Sequence, residues 1–207
     1  MRSTERDALL FHLVFAGIGA LLLWAPLSWS LGLRVLIFVG LYNVAIPLVA
    51  ANRNHDRWTE LWAFLLPLSL LQVIPDWFLV DVVGSLRFPP QGIPEIGPVP
   101  GHMALMWVVA LFPVLFVGER LHKRTGWSSL WAVVPLGLVV FGASEALVTR
   151  IPVWEAVGVA TYESIALYVL PAEVLLCVVA DMAWRKTSGK SLATRLGVSV
   201  LVMMSYL

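Results

Sequence analysis

The chain has 207 residues, 59% of them hydrophobic and 13% charged, with a formal net charge of +1 and a mean hydropathy of +0.85. A soluble domain keeps roughly a quarter of its residues charged to hydrate its surface, so a soluble globular fold is excluded. The near-neutral charge, with no basic patch interleaved with aromatics, excludes nucleic acid as a partner.

A helix needs roughly 20 mostly apolar residues to cross about 30 Å of hydrocarbon. In chain order such runs are Leu9 to Trp29, Val35 to Ala51, Leu61 to Val83, Met103 to Gly118, Leu130 to Val148, Ala166 to Trp184, and a shorter Leu192 to Leu207 interrupted by Arg195. The first run has no small-residue cleavage site, so it reads as a span and not as a signal peptide. The expected fold is an all-α, polytopic bundle of about seven transmembrane helices forming one domain over residues 1–207. The basic residues support this map. Eleven of them (Arg2, Arg6, Arg53, Arg57, Arg120, Lys123, Arg124, Arg185, Lys186, Lys190 and Arg195) fall on one side, against Arg34, Arg87 and Arg150 on the other. An excess of Lys and Arg marks the cytoplasmic face. The N-terminus is therefore expected inside, in the inner membrane if the cell is bacterial.

Two connections on the outer side differ from the rest. Phe88 to His102 (FPPQGIPEIGPVPGH) is too rich in proline for a helix. Arg150 to Ser164 (RIPVWEAVGVATYES) is compatible with loop, re-entrant segment or kinked helix. Each follows an acid, a small or hydroxyl residue, an arginine and a proline, starting from Asp81 and from Glu145, a faint internal echo.

Acids inside apolar spans are the informative residues. Placing one at the membrane centre costs about 2.5 to 3.5 kcal/mol, so by default it faces the bundle interior. The candidates are Gln72, Asp76 and Asp81 in the third span, Glu145 in the fifth, Glu163 at the approach to the sixth, and Glu173 within it beside Pro171. Asp181 reads as a solvated helix-end charge paired with Arg185 at (i, i+4). Asn43 suits interhelical hydrogen bonding as well as a site. Gln72 and Asp76 share a helix face, as do Trp77 and Asp81, whereas Asp76 and Asp81 point in different directions. Asp81 and Glu145 also lie near Arg87 and Arg150, so plain helix-end ion pairs are the competing reading. Trp77, Trp107, Trp154, Tyr162 and Tyr168 are the aromatics set to line a cavity, the remaining tryptophans serving as interface anchors.

Several chemistries have nothing to stand on. Cys177 is the single cysteine, and His12, His55, His102 and His122 occur without metal-ligand spacing. No GxSxG, P-loop or dinucleotide fingerprint occurs, and neither a cofactor nor a metal is expected.

The second half resembles the lycopene cyclase domain of integral-membrane carotenoid cyclases. Glu145 near a helix end is followed by Trp154 and then by Pro171-Ala172-Glu173 opening an apolar helix, where that family has an acid, a W-x-F-type loop and a P-x-E-E motif. The chain departs from the pattern at Val174, in place of the second acid, at Glu155, in place of a loop aromatic, and at Pro98-Val99-Pro100, where the first half has no acid. The resemblance implies an intramembrane cyclase or isomerase acting on a terpenoid, carotenoid or related lipid. Glu173 would be the proton donor, and Glu145, Asp81 or Asp76 a base or cation stabiliser. A carboxyl group kept in oil retains its proton, aromatic faces attract a travelling cation, and a dry site prevents quenching. The partner is then a membrane lipid or hydrophobic small molecule. A small proton-coupled transporter, with the same acids as a relay, and a non-catalytic subunit of a larger complex are the alternatives.

Overall fold

The computed structural model describes residues 3–162 and 165–206; Arg2, Glu163 and Leu207 lie outside the described residues. The long helices are α1 (Ser3–Trp24), α2 (Leu31–Arg53), α3 (Asp56–Leu71), α4 (Val73–Phe78), α5 (Met103–Thr125), α6 (Leu130–Val148), α7 (Val169–Thr187) and α8 (Leu192–Met204). α3 and α4 continue through a π-helical turn, Leu79–Val83, as one apolar rod from Asp56 to Val83. Pro75, which has no N–H to donate, stands where the rod changes its winding.

Five of these bodies (α1, α2, the Asp56–Val83 rod, α5 and α6) are long and apolar enough to cross a membrane. Their outward faces carry exposed Leu13, Val14, Leu21, Leu41, Val44, Leu48, Leu138 and Val139. So much exposed apolar surface is stable only against lipid. The protein is a membrane helix bundle.

The seven expected spans need correction at both ends of the chain. α1 stops at Trp24, five residues before the expected boundary, because Pro26 follows and Arg34 turns back to donate to the carbonyls of Ala25, Leu27 and Trp29. α7 has the length of a span, 19 residues, but carries Glu173, Asp181, Arg185 and Lys186. α8 has 13 residues, about 20 Å at 1.5 Å per residue, which falls short of a full crossing.

α5 runs through the middle, packed on α2, α3, α6 and α7. Phe64, Leu65, Leu68, Leu111, Phe112, Leu115, Leu176 and Trp184 fill the interior with no exposure. α6 and α7 approach closely at Gly137, where an added Cβ would stand 3.1 Å from Cys177 Sγ. Small residues are the usual means of bringing membrane helices together. Asn43 Nδ2 donates to the Val39 and Leu105 carbonyls while its Oδ1 accepts from Trp62 Nε1. It ties α2, α3 and α5 together, the interhelical role anticipated as one of its two readings.

At the end expected to be cytoplasmic, acids hold the helices together. Asp7 accepts from Arg53 Nε at 2.9 Å and faces His55 Nε2 at 3.0 Å. Glu119 takes Arg57 Nε at 2.8 Å, Trp184 Nε1 at 3.1 Å and Lys123 Nζ at 2.5 Å. Asp181 forms the expected pair with Arg185, Nε to Oδ2 3.1 Å, but it is not solvated: it is fully buried and accepts from Ser129 Oγ at 2.6 Å.

At the opposite end the two long connections are joined into one cap. β1 (Leu86–Arg87) pairs antiparallel with β4 (Glu155–Ala156). β2 (Glu95–Ile96) pairs with β3 (Val99–Pro100), and β5 (Thr161–Tyr162) with β6 (Ile165–Ala166). Gln91 Nε2 donates to the carbonyls of Pro152 and Val153, and the Val157 N–H to that of Ser85. Arg87 pairs with Glu155, so neither arginine suspected of neutralising Asp81 or Glu145 does so.

The same order of elements occurs twice: helix, strand, hairpin, helix. β2 begins at Glu95 before α5 at Met103, and β5 begins at Thr161 before α7 at Val169, the same interval. The interval from Asp76 to β1 is close to that from Glu145 to β4. The echo noticed in the sequence therefore has a structural counterpart, with Asp76 and not Asp81 as the partner of Glu145. The two equivalent strands, β1 and β4, are paired with one another.

His102, at the start of α5, is fully buried with no partner for either ring nitrogen. Burial pushes its pKa down from 6.5 to about 4. The unfolded chain therefore binds a proton between those values that the folded chain refuses. Stability falls as pH drops through that window, by roughly 3 kcal/mol in all. His102→Phe should flatten this part of the pH profile of thermal unfolding in detergent, and an unchanged slope would assign it elsewhere.

Candidate active site

Beneath the cap lies a partly open cavity of about 90 Å³, lined mostly by apolar and aromatic side chains with a few convergent polar groups, as small-molecule sites are. Helices α4, α5, α6 and α7 contribute to its wall, with the π-helical turn and the segment after α8. Asp76 comes from α4, Trp107 from α5, Phe141 and Glu145 from α6, Glu173 from α7, and Tyr206 from just beyond α8. The cap supplies Ser85, Trp154 and Tyr168. Three carboxyl groups thus converge on one apolar chamber, and Glu173 is close enough to the other two to sense their charge.

The three differ in their surroundings. Glu145, 4% exposed, accepts from Trp154 Nε1 at 2.9 Å through Oε1 and from the Ala166 N–H at 3.2 Å through Oε2. Both donors belong to the second loop, so Glu145 orders the part of the cap that covers it. Glu173, 6% exposed, has an Oε2 with no partner. Asp76, 3% exposed, likewise has an unpartnered Oδ2; the Trp107 indole lies beside this carboxyl without closing a hydrogen bond. Among the described residues none of the three pairs with Arg, Lys or His, and no three His, Cys, Asp or Glu side chains are grouped to hold a metal ion.

The aromatic wall is continuous. Trp107 packs against Phe141 at 5.7 Å between centroids and edge-on against Tyr206 at 5.4 Å. Tyr168 donates its hydroxyl to Ser85 Oγ at 2.9 Å, closing the cap above Glu173.

A model of the family described as Domain of unknown function (DUF6989) matches residues 73–207. The chain belongs to the DUF6989 family. The matched region begins at α4 and contains all three carboxyls with their aromatic wall, so the site is built within the DUF6989 portion. No curated protein and no solved structure matches the chain.

Of the residues singled out in the sequence, Asp76, Glu145, Glu173, Trp107, Trp154 and Tyr168 line the cavity of this DUF6989 protein. Three do not. Asp81 is exposed on the π-helical turn and accepts from Trp77 Nε1 at 2.6 Å. Trp77 is correspondingly occupied: its ring covers Gly97 so closely that an added Cβ would stand 2.7 Å from it, and Gly97 has φ +61°. The pair braces the β2–β3 turn from outside. Tyr162, in β5, is 64% exposed and away from the cavity. Gln72 is buried without a hydrogen-bond partner and is not part of the wall either.

The sequence reading missed Ser85, Ser144, Met103, Met106 and Tyr206, which the fold adds to the wall. Met103 and Trp107 are four apart on α5, as are Phe141 and Glu145 on α6, so a search for residues sharing a face with an aromatic or acid would have found Met103. Tyr206 gave no such signal, since it reaches the site only through the packing of α8.

Proposed function

We propose that this protein is an intramembrane isomerase or cyclase that rearranges an isoprenoid lipid (a terpenoid, carotenoid or related molecule) by carboxylic-acid protonation. One observation carries the reading: three carboxyl groups without cationic partners meet in a single apolar cavity walled by Trp107, Trp154, Phe141, Tyr168 and Tyr206. A buried acid without a counter-ion is costly to keep in a membrane protein unless it serves a function.

Roles follow from the hydrogen bonds. Glu173 offers a carboxyl oxygen that nothing else engages, so its O–H is free to protonate an alkene or epoxide of the substrate. The proton adds to one carbon or to the epoxide oxygen, and positive charge develops on the neighbouring carbon. The aromatic faces around the chamber stabilise that charge. In a cyclisation a second double bond of the same molecule then attacks it. Glu145, whose carboxylate is held by the Trp154 and Ala166 N–H groups, takes a proton from the carbon beside the final cation, closing a new double bond. The proton count is then balanced, and transfer from Glu145 back to Glu173, with Asp76 as the third carboxyl in the chamber, resets the site. Water is kept away on one side by the cap and on the other by the solid interior around Leu111, Leu115 and Leu176. That filled interior also weighs against a carrier, which needs a route past the midplane.

Expression in cells that make polyprenyl and carotenoid precursors, grown in deuterium oxide, tests the reaction class. A new lipid should appear that, after an alkene is protonated, carries one deuteron more than its unreacted precursor at the carbon the acid protonated. After an epoxide is opened the deuteron on oxygen exchanges away, and the new hydroxylated product itself is the readout. A lipid profile unchanged by the protein across those precursors would count against the reading. A new lipid whose formation instead consumes oxygen or a reductant would replace it with a redox reaction.

A further inference from the structure

A second cavity, of about 230 Å³, lies between α1, α2, α5 and α6 and is not part of the chamber of carboxyls. It is lined by Leu23 of α1, Val35 and Phe38 of α2, Val109 of α5, Val140 of α6 and Val153 of the second loop, among others of the same kind. Its lining carries no charged side chain. The hydroxyl of Ser144 donates its proton to the Val140 carbonyl at 2.9 Å, so it has no proton left to offer inward. Trp154 is likewise committed, its N–H being held by Glu145. The chemistry of this space is that of hydrocarbon.

Its position gives it meaning. Met106, Ala110, Ser144 and Trp154 line both cavities, so the two spaces are separated only by a partition one side chain thick. Two of the four partition residues are small, and a third is methionine, whose unbranched thioether chain yields readily. Trp154 stands at the boundary with its N–H on Glu145 and its ring on the wall of the apolar space.

We propose that the apolar cavity between α1, α2, α5 and α6 receives the hydrocarbon tail of the molecule whose reactive end lies among Asp76, Glu145 and Glu173, passing the partition of Met106, Ala110, Ser144 and Trp154. This rests on the proposed function and narrows it: the substrate is a long, flexible, linear isoprenoid, not a compact ring system or a polar conjugate. A charged or hydroxylated tail would lose its hydration in a space with no charged side chain and no free side-chain donor. The tail supplies binding energy remote from the reacting carbons, which holds the reactive end in place for proton transfer.

The test is a photo-crosslinking map on the purified full chain in lipid nanodiscs. Two isoprenoid probes carry a diazirine at the tail end, one of monoterpenoid and one of triterpenoid length. The long probe should label Val35, Phe38, Val109 or Val140, and the short probe only residues of the carboxyl chamber such as Met103 and Phe141. Val140→Trp and, separately, Val35→Trp should cut labelling by the long probe at least roughly tenfold, the scale on which pockets reject surplus bulk, while the short probe labels as before. Should one variant fail to fold, the other and the wild-type map still decide. A long probe that labels only lipid-facing residues such as Leu138 and Val139 would overturn the tail site and leave the acid chemistry standing. A phosphatidylcholine with a diazirine acyl chain is the competitor. If it labels the α2–α6 space and the long isoprenoid does not displace it, the space holds a bilayer acyl chain and the proposal fails. Correct labelling with no conversion of any isoprenoid would instead sink the proposed function and retain the cavity as a lipid-binding site.

Discussion

Glu173→Gln is expected to lower turnover by about 10²- to 10⁴-fold, the usual contribution of a positioned general acid, while the bundle stays folded. The amide has the shape of the acid and cannot donate a proton to an alkene. Its effect on folding should be small, because the Glu173 Oε2 it replaces has no hydrogen-bond partner to lose. Glu173→Asp keeps the acid but withdraws it by one methylene, and should fall between the two. The measurements are product formation at saturating substrate and the midpoint of thermal unfolding in detergent. Asp81→Asn is the internal control. Asp81 lies outside the chamber with its carboxylate on Trp77, so its loss should leave turnover at the wild-type rate. A Glu173→Gln protein that turns over normally would remove the proton donor from the scheme, and an inactive Asp81→Asn would move the chemistry to the outer surface.

That Asp76 faces the chamber and Asp81 does not marks the limit of what the sequence could tell. Hydropathy reports how deep a residue lies but not which way it points around the helix. The residues here allowed only the statement that the two acids diverge. The π-helical turn at Leu79–Val83 then changes the winding between them. Depth itself was legible. α6 runs from Leu130 to Val148 as expected, and the non-helical course of Phe88 to His102 follows directly from its prolines. Boundaries failed where apolar residues sit in a turn: Leu27 and Trp29 prolong the hydropathy of α1 past the point where Pro26 ends its helix. The aromatic–acid pairing of Trp154 with Glu145 was visible as a spacing, nine residues apart across a loop, but the Ala166 N–H that completes it was not. Tyr206 was invisible for the same reason: its place depends on contacts between segments distant in sequence. At the other end of the bundle Asp181 was read, but Asp7 and Glu119 were not, because the basic residues there served only to assign sidedness and were not matched to what each of them faces.

Glu119→Ala should be the most destabilising of these substitutions, by about 1 to 3 kcal/mol, the cost of leaving a buried hydrogen-bonding group without its partner. The Glu119 side chain is 5% exposed, and Arg57, its principal partner, is 25% exposed. Arg57 lies with its guanidinium 4.2 Å from the centre of the Trp184 ring, and Trp184 Nε1 donates to the same carboxylate. Removing the acid therefore leaves the Trp184 indole N–H without an acceptor and Arg57 with only Glu60 and the Ser188 hydroxyl as partners, at the point where α3, α5 and α7 meet. Lys123 adds little to this, being half exposed. Glu119→Gln retains an acceptor for one of the two inner donors and should cost less than the alanine variant. The unfolding midpoint in detergent measures the loss, and turnover per folded molecule should stay near wild type, because the chamber lies at the far end of α7. A loss below about 1 kcal/mol would mean that the cluster behaves as an ordinary surface ion pair. Normal stability with lost turnover would instead mean that the anchor of α7 sets the position of Glu173, coupling the two ends of the bundle through a single rigid helix.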